Sequence, residues 1–124
     1  MVNERRGAMK KILWVSRHAM TSDQMADLER IYGVFELIQY DETLTGITSL
    51  LEYDVDVYAV VLPVDLIALL RKSTSSDVIQ SVSGRVKTDR LIINNATGEY
   101  ENEYLYRHLY WQLITKCEIE TERL

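Results

Sequence analysis

The sequence has few of the features that mark secreted or membrane proteins. Its single cysteine, Cys117, excludes an internal disulfide bond and a cysteine zinc cluster. No apolar run approaches the ~18 residues of a membrane-spanning helix, and no apolar signal-peptide core follows the charged N-terminus. We therefore expect a cytoplasmic protein with no membrane partner.

Positive charge is also scarce. The chain has 14 lysine and arginine residues against 19 aspartate and glutamate residues, a net charge of −5, and no basic stripe. Binding along a nucleic-acid duplex needs clustered cations, so we exclude long nucleic acids as partners. A local basic pocket for a small phosphate-bearing ligand stays open.

The common catalytic and cofactor motifs are missing. No GxGxxG follows the first predicted strand, and Walker A, HExxH and GxSxG motifs do not occur. His18 and His108 are the two histidines, and neither has a nearby set of Cys, Asp or Glu ligands. We expect no metal ion and no cofactor.

A regular alternation of strands and helices fills the first part of the chain. KKILWV (10–15) is an apolar run bounded by lysines, which is typical of a buried strand in a parallel sheet. Thr21 and Gln24 have the spacing of a capping box and open a helix that Gly33 ends. Two further strand–helix units are predicted, 34–40 with 44–53 and 55–63 with 64–73.

These three units predict the fold class. Strand–helix repeats with short connections favour a parallel sheet with right-handed crossovers. We predict one α/β domain, 10–124, with a Rossmann-like three-layer fold. Its mainly parallel β-α-β-α-β-α part covers 10–73, with 55–63 as the central strand, and a β-rich extension covers 77–124. Residues 1–9 are polar without periodicity, so we predict a disordered tail.

The C-terminal part of the chain has a weaker pattern. Two strands, 77–88 and 90–95, are predicted with a short turn between them, and 116–124 alternates like a half-exposed strand. In 103–114 the leucines share a helical face, whereas the aromatic residues suit a strand; we favour a short helix or irregular segment. Its tyrosines and Trp111 fit core packing, with a dimer surface as the alternative.

Candidate ligand-binding residues follow the first strand. In open α/β sheets, ligands bind beyond the carboxyl ends of the strands. Ser16, Arg17 and His18 stand at such an end, before a helix N-terminus that favours an anion. Arg17 offers fixed donors for a phosphate, and a histidine can donate to phosphate or transfer a proton near neutral pH. A solvated turn is the alternative for these three residues.

Other residues near the strand ends are weaker candidates. Thr21 and Gln24 are candidate ligand-binding residues, although helix capping is the favoured interpretation. Pro63 ends the third predicted strand at the same edge and is also a candidate. Asp41 and Glu42 follow the second strand; because their charge would oppose a phosphate, we favour a helix-cap role for them.

The run LWVSRHAMTSDQMADL resembles the N-terminus of small CRISPR-associated accessory proteins, relatives of the CARF-type sensors and ring nucleases. The resemblance covers residues 11–35 at motif level. The matching positions are Ser16, His18, Thr21 and Gln24. Arg17, inserted between serine and histidine, and Met20, where leucine is usual, depart from the pattern. The chain also resembles uncharacterised small proteins of bacterial mobile elements.

The CRISPR-associated resemblance implies a homodimer in prokaryotic or phage defence that binds a cyclic oligoadenylate and either cleaves or sequesters it. Cleavage would need no metal: a ribose 2′-hydroxyl attacks the adjacent phosphate in line. Arg17 would then neutralise charge and His18 would act as acid or base, which makes both catalytic candidates. Ser16 would bond a phosphate or a ribose. The alternative is a non-enzymatic protein-interaction module of a mobile element or defence locus.

Overall fold

The computed structural model of the chain describes residues 9–116 and 122–123. The predicted tail lies outside these residues except for Met9, which is exposed. Most of the predicted final strand, 116–124, including Cys117, also lies outside the described residues. Among the described residues the elements are, in order, β1 (Lys10–Val15), α1 (Ser22–Tyr32), β2 (Phe35–Tyr40), α2 (Thr48–Leu51), β3 (Val57–Val60), α3 (Val64–Ser73), β4 (Asp77–Ile93) and β5 (Tyr100–Leu113).

The strands form one mixed, mostly parallel sheet in the order β2-β1-β3-β4-β5. β1 is parallel to β2 and to β3, and β3 is parallel to the first residues of β4. Of the strands that the structure describes, β5 is the one that runs antiparallel to its neighbour, β4. The predicted α/β class and the central position of the third strand are confirmed. No helix among the described residues is long and apolar enough to cross a membrane.

β1 is a strand because its side chains fill both faces of the sheet. Successive side chains of a strand point to opposite faces. Leu13 and Val15 pack in one core cluster, which includes residues of α2 and α3. Ile12 and Trp14 pack in a second cluster, which includes Leu28 of α1. Burial on both faces explains why the run has no polar residue between its lysines and Ser16.

The predicted capping box of α1 is confirmed. The Thr21 hydroxyl accepts a hydrogen bond from the Gln24 amide (3.2 Å), and the Gln24 side chain accepts one from the Thr21 amide (2.9 Å). The helix ends at Gly33, whose positive φ of 76° suits glycine. Its amide donates to the Glu29 carbonyl (2.8 Å).

The second helix is much shorter than the predicted span 44–53. Only Thr48–Leu51 are helical, because the chain on both sides is held by the core. Leu44 packs against the core cluster ahead of the helix. At the end of the helix, the Tyr58 hydroxyl of β3 donates to the Leu50 carbonyl (3.0 Å). This hydrogen bond satisfies a carbonyl that would otherwise accept from a further helical turn.

The C-terminal part differs most from expectation. Instead of two strands there is one long strand, β4, with an irregularity between Lys87 and Leu91. The predicted short helix or irregular segment in 103–114 is wrong, because residues 103–113 belong to strand β5. The turn between the two strands is stabilised by Asn94, whose carbonyl accepts from the Gly98 amide (2.7 Å).

The pairing with β4 overrides the helical spacing of the leucines in 103–114. Leu105, Leu109 and Leu113 all lie about half exposed, so no helical face of them is buried. The residue that enters the core is Trp111, which meets Trp14 edge to face with ring centroids 6.0 Å apart. We call β4 and β5 with their turn, residues 77–113, the hairpin.

Polar side chains fasten the base of the hairpin to α1. Ser81 Oγ lies 2.6 Å from Nδ1 of His108, and Nε2 of that ring lies 2.8 Å from the Asp27 carboxylate. A carboxylate only accepts, so the ring proton belongs on Nε2. The side-chain amide of Gln24 donates to Ser81 Oγ (3.3 Å), and the backbone carbonyl of Gln24 accepts from the Trp111 indole (3.1 Å).

This network also sets the charge state of Asp27. The hydrogen bond from His108, helped by the Arg30 guanidinium, holds the pKa of Asp27 below its usual value of 3.8, although partial burial acts in the opposite direction. A lowered carboxylate pKa stabilises the folded state above the pKa of the unfolded chain, and this contribution is lost as the pH falls through the folded value.

We predict that Asp27→Ala lowers the free energy of unfolding by about 1–3 kcal/mol, because His108 loses its acceptor in a largely buried site. The measurement is urea unfolding at neutral pH. The stability difference from the wild type should shrink as the pH is lowered below 3.8, where the wild-type carboxylate becomes protonated.

Asp23→Ala is the matched control. Asp23 accepts from Arg107 (2.8 Å), but 41% of the Asp23 side chain and 52% of the Arg107 side chain are exposed. Its loss should therefore cost less than about 1 kcal/mol. Equal effects of the two substitutions would contradict a special role for Asp27.

Candidate functional site

A cavity of about 380 Å³ lies where β1, β2 and β3 end. The carboxyl ends of parallel strands meet at one edge of the sheet, and a crevice forms where connections leave neighbouring strands in opposite directions. Here the chain passes from β1 to its neighbour β2 toward one edge of the sheet, and from β3 to its neighbour β4 toward the other edge. The polar lining residues are Ser16, Arg17, His18, Glu42 and Thr43; the apolar ones are Val15, Tyr40, Leu44, Val61, Leu62, Pro63 and Leu66.

Hydrogen bonds from residues of the core and the sheet hold the backbone of the loop after β1. The Trp14 indole, buried in the core, donates to the His18 carbonyl (2.7 Å). The Gln39 side chain on β2 donates to the carbonyls of Ser16 (2.9 Å) and His18 (3.0 Å). The Ser16 hydroxyl closes the turn by accepting from the His18 amide (3.1 Å). The scaffold thus holds the backbone of this loop without using the side chain of His18.

Arg17 extends over the cavity to the loop that follows β2. Its guanidinium donates to the Thr43 hydroxyl, which ties the two loops together. A guanidinium has five N–H donors, and Thr43 is its only side-chain partner within the described part of the chain. Several donors of Arg17 are therefore left for a ligand.

His18 is exposed at the same edge. Its carbonyl and amide are used by the loop, but its imidazole has no hydrogen-bond partner among the described residues. A free imidazole beside a guanidinium provides both a donor for an anion and a group that can transfer a proton.

Glu42 has a different position from the one predicted from the sequence. The predicted helix-cap role of Asp41 and Glu42 is wrong, because α2 begins only at Thr48 and its N-cap residue is Ile47. Glu42 instead lines the cavity together with the next two residues, Thr43 and Leu44. A carboxylate and a guanidinium therefore line one cavity, which favours a ligand with both anionic and hydrogen-bond-donating parts.

The structure brings four of the predicted site residues together: Ser16, Arg17, His18 and Pro63 all line the cavity. Thr21 and Gln24 do not line it. They are engaged in the helix cap, and Gln24 also contacts the hairpin through Ser81. A ligand contact by Thr21 or Gln24 stays a prediction.

The sequence analysis did not identify Thr43, Leu44 or Leu66 as site residues. Thr43 and Leu44 follow β2 at the same edge as Ser16, so the rule that ligands bind at carboxyl ends of strands applies to them too. Leu66 lies in the first turn of α3, and no local pattern separates it from the core leucines of that helix.

The residues described by the structure include no group of three or more His, Cys, Asp or Glu side chains that could hold a metal ion. The polar groups that line the cavity belong to Arg17, His18 and Glu42 and to the hydroxyl-bearing residues Ser16, Thr43 and Tyr40. These groups can bind an anion, orient a polar ligand and move a proton.

Comparison of the chain with protein-family models, with curated proteins and with solved structures gave no match.

Proposed function

We propose that the protein binds a nucleotide second messenger of the cyclic oligoadenylate class in the cavity at the ends of β1, β2 and β3. The observation that carries the proposal is the pairing of unused Arg17 donors and a free His18 imidazole with an apolar wall in one cavity. Cavities that bind small molecules are mostly apolar with a few convergent polar groups.

We also assign the fold to the Rossmann-like three-layer class. Support comes from the strand order β2-β1-β3-β4-β5, which doubly wound folds share. Further support comes from the two core clusters, one with residues of α1 and the other with residues of α2 and α3. Ligands of such folds bind beside the first strand, where this cavity lies.

Each part of a nucleotide has a matching group in the cavity. A phosphate is suited to the Arg17 guanidinium, which forms charge-assisted hydrogen bonds, and to the His18 imidazole. The Glu42 carboxylate accepts hydrogen bonds from ribose hydroxyls or from an adenine amino group. An adenine ring is suited to the apolar wall formed by Leu44, Leu62 and neighbouring residues.

The size of the cavity bears on the oligomeric state. At about 380 Å³ it lies near the lower end of the range for small-molecule sites, so one copy accommodates about one nucleotide unit. A ring of several nucleotides would need the cavities of two copies. The proposal therefore includes a homodimer, with the bound ring shared between its subunits.

The same groups suit a metal-independent cleavage of the ring. A ribose 2′-oxygen would bond to phosphorus as the bond from phosphorus to the 5′-oxygen breaks, leaving a 2′,3′-cyclic phosphate and a 5′-hydroxyl. The proton of the 2′-hydroxyl passes to a base, and the 5′-oxygen takes up a proton. His18 is the candidate for these transfers, and Arg17 neutralises the phosphoryl oxygens.

A second candidate function is that of a non-enzymatic protein-interaction module of a mobile element or defence locus. The observation that favours it is the apolar exposed surface of the hairpin, which lies on β4 and β5 and includes no cavity residue. The setting in antiviral defence and a cytoplasmic location belong to the proposal as well.

We predict that Arg17→Ala weakens binding of a cyclic oligoadenylate by about 1.5–3 kcal/mol, or roughly 10- to 150-fold, because charged hydrogen bonds to phosphate are lost. The measurement is isothermal titration with rings of three, four and six adenylates. Arg90→Ala is the control, since Arg90 is exposed on the hairpin, outside the cavity.

Three outcomes are decisive for this proposal. Selective loss in Arg17→Ala supports the cavity as the binding site. Equal loss in both variants indicates only a general effect of charge. If no ring binds the wild-type protein at micromolar concentrations, the nucleotide proposal is wrong.

We predict that His18→Ala separates binding from cleavage. Chromatography of the products after incubation with a ring should show linear products for the wild type and a rate at least about 100-fold lower for the variant. Its affinity should fall by no more than about tenfold, because one hydrogen bond to phosphate is lost. Intact rings with the wild-type protein would establish sequestration in place of cleavage.

A further inference from the structure

The hairpin presents an unusual amount of apolar surface to solvent. Ten large apolar side chains on it are exposed, and the highest exposures are 77% for Tyr106, 70% for Tyr100 and 60% for Leu91. A whole side chain of this size presents on the order of 200 Å², so these exposures leave roughly 1,000 Å². Successive side chains of a strand point to opposite faces, so this area is divided between the two faces of the hairpin.

The hairpin also lacks neighbours for much of its backbone. β3 pairs with Asp77–Ile79 of β4, and within residues 9–116 the rest of β4 has β5 as its neighbouring strand. β5 is the last strand of the sheet and pairs only with β4 among the described residues. A two-stranded ribbon is marginally stable by itself, and an apolar free edge is a template for pairing with another chain.

One end of β5 lacks the charged residues that usually keep an edge strand from pairing with another chain. Lys87 and Arg90 stand on β4, and Glu101 and Glu103 stand on β5 near the turn. The other end of β5, residues 109–113, has no charged residue. Natural edge strands are commonly protected by charge, so the uncharged end of β5 is the part suited to an interface.

We infer that β5 is the dimerisation surface of this protein, and that the β5 strands of two copies associate antiparallel about a two-fold axis. Seven of the ten exposed side chains lie on β5, and the exposed apolar area of the hairpin is of the same order as the ~800 Å² that each partner of a standard stable interface buries. Tyrosine is also enriched in the energetically dominant parts of interfaces.

Charge decides the direction of the two strands. In a parallel arrangement, Glu101 and Glu103 of the two copies would lie opposite each other, and like charges directly opposite are destabilising. In the antiparallel arrangement, the glutamates of each copy face the uncharged end of β5 in the other copy. This interface is self-complementary, as a two-fold axis requires.

The inference does not depend on the ligand cavity. A stable dimer that binds no nucleotide leaves it standing. Nucleotide binding by a permanent monomer overturns it, together with the sharing of a ring between two subunits, and leaves the cavity as the binding site of one nucleotide unit. The two proposals therefore fail separately.

The test is the molar mass in solution, measured by light scattering and sedimentation with a reducing agent that excludes a disulfide through Cys117. The wild-type chain should sediment at twice 14.4 kDa. Tyr106→Glu should raise the dimer dissociation constant at least about tenfold, because each copy then brings an unpaired carboxylate into the interface. Tyr106 is the most exposed of these side chains, so its replacement removes no core contact.

Val34→Glu is the matched control. Val34 is 69% exposed and lies between α1 and β2, away from the hairpin, so the same added charge should leave the dimer unchanged. A monomeric wild-type chain, or a Tyr106→Glu variant that dimerises as well as the control, would overturn the inference.

Hydrogen exchange of the unmodified protein gives a second measurement. Amides on the outer edge of β5 should exchange slowly in the dimer and faster on dilution below its dissociation constant, while amides of β1 keep their protection. Exchange in β5 that does not change with protein concentration would contradict the antiparallel association even if all variants fail to fold.

Discussion

Burial of β1 on both faces and both edges is the constraint on which the rest of the structure depends. Its side chains alternate between two core clusters, and parallel strands pair with it on each side. Parallel neighbours need long crossover connections, which here contain α1 and α2. The same geometry brings the carboxyl ends of β1, β2 and β3 to one edge and opens the cavity between the loops that leave them.

In the candidate site, hydrogen bonds to the backbone position the loop, and side chains of the loop supply groups for a ligand. A buried indole needs a hydrogen-bond acceptor, and Trp14 finds it in the carbonyl of His18. Gln39 on the neighbouring strand binds the same carbonyl and that of Ser16. Core and sheet residues thus position the loop, while the Arg17 and His18 side chains keep hydrogen-bonding capacity that folding does not use. That capacity is the physical basis of the proposed nucleotide site.

In the part of the chain that the structure describes, the hairpin is held to the rest of the protein near its base. At its base, Trp111 enters the core and His108 connects Ser81 with Asp27 of α1, so this end shares the stability of the sheet. Toward the turn, two strands pair with each other while their tyrosines and leucines remain in solvent. Such a ribbon gains stability when a further strand pairs with it. The chain therefore combines a self-sufficient α/β core with a surface suited to association.

The sequence by itself determined the elements whose signals are local. These are the apolar run of β1, the capping box of Thr21 and Gln24, the stop at Gly33, the position of α3, and the candidates Ser16, Arg17, His18 and Pro63 at strand ends. Only the tertiary structure decided the rest. The leucines of 103–114 fit a helix until β4 supplies hydrogen-bonding neighbours. α2 ends where the Tyr58 hydroxyl binds the Leu50 carbonyl, and Glu42 lies on the cavity wall because no helix follows it directly. The physical reason is that these outcomes depend on partners distant in sequence, which no spacing of residue types records.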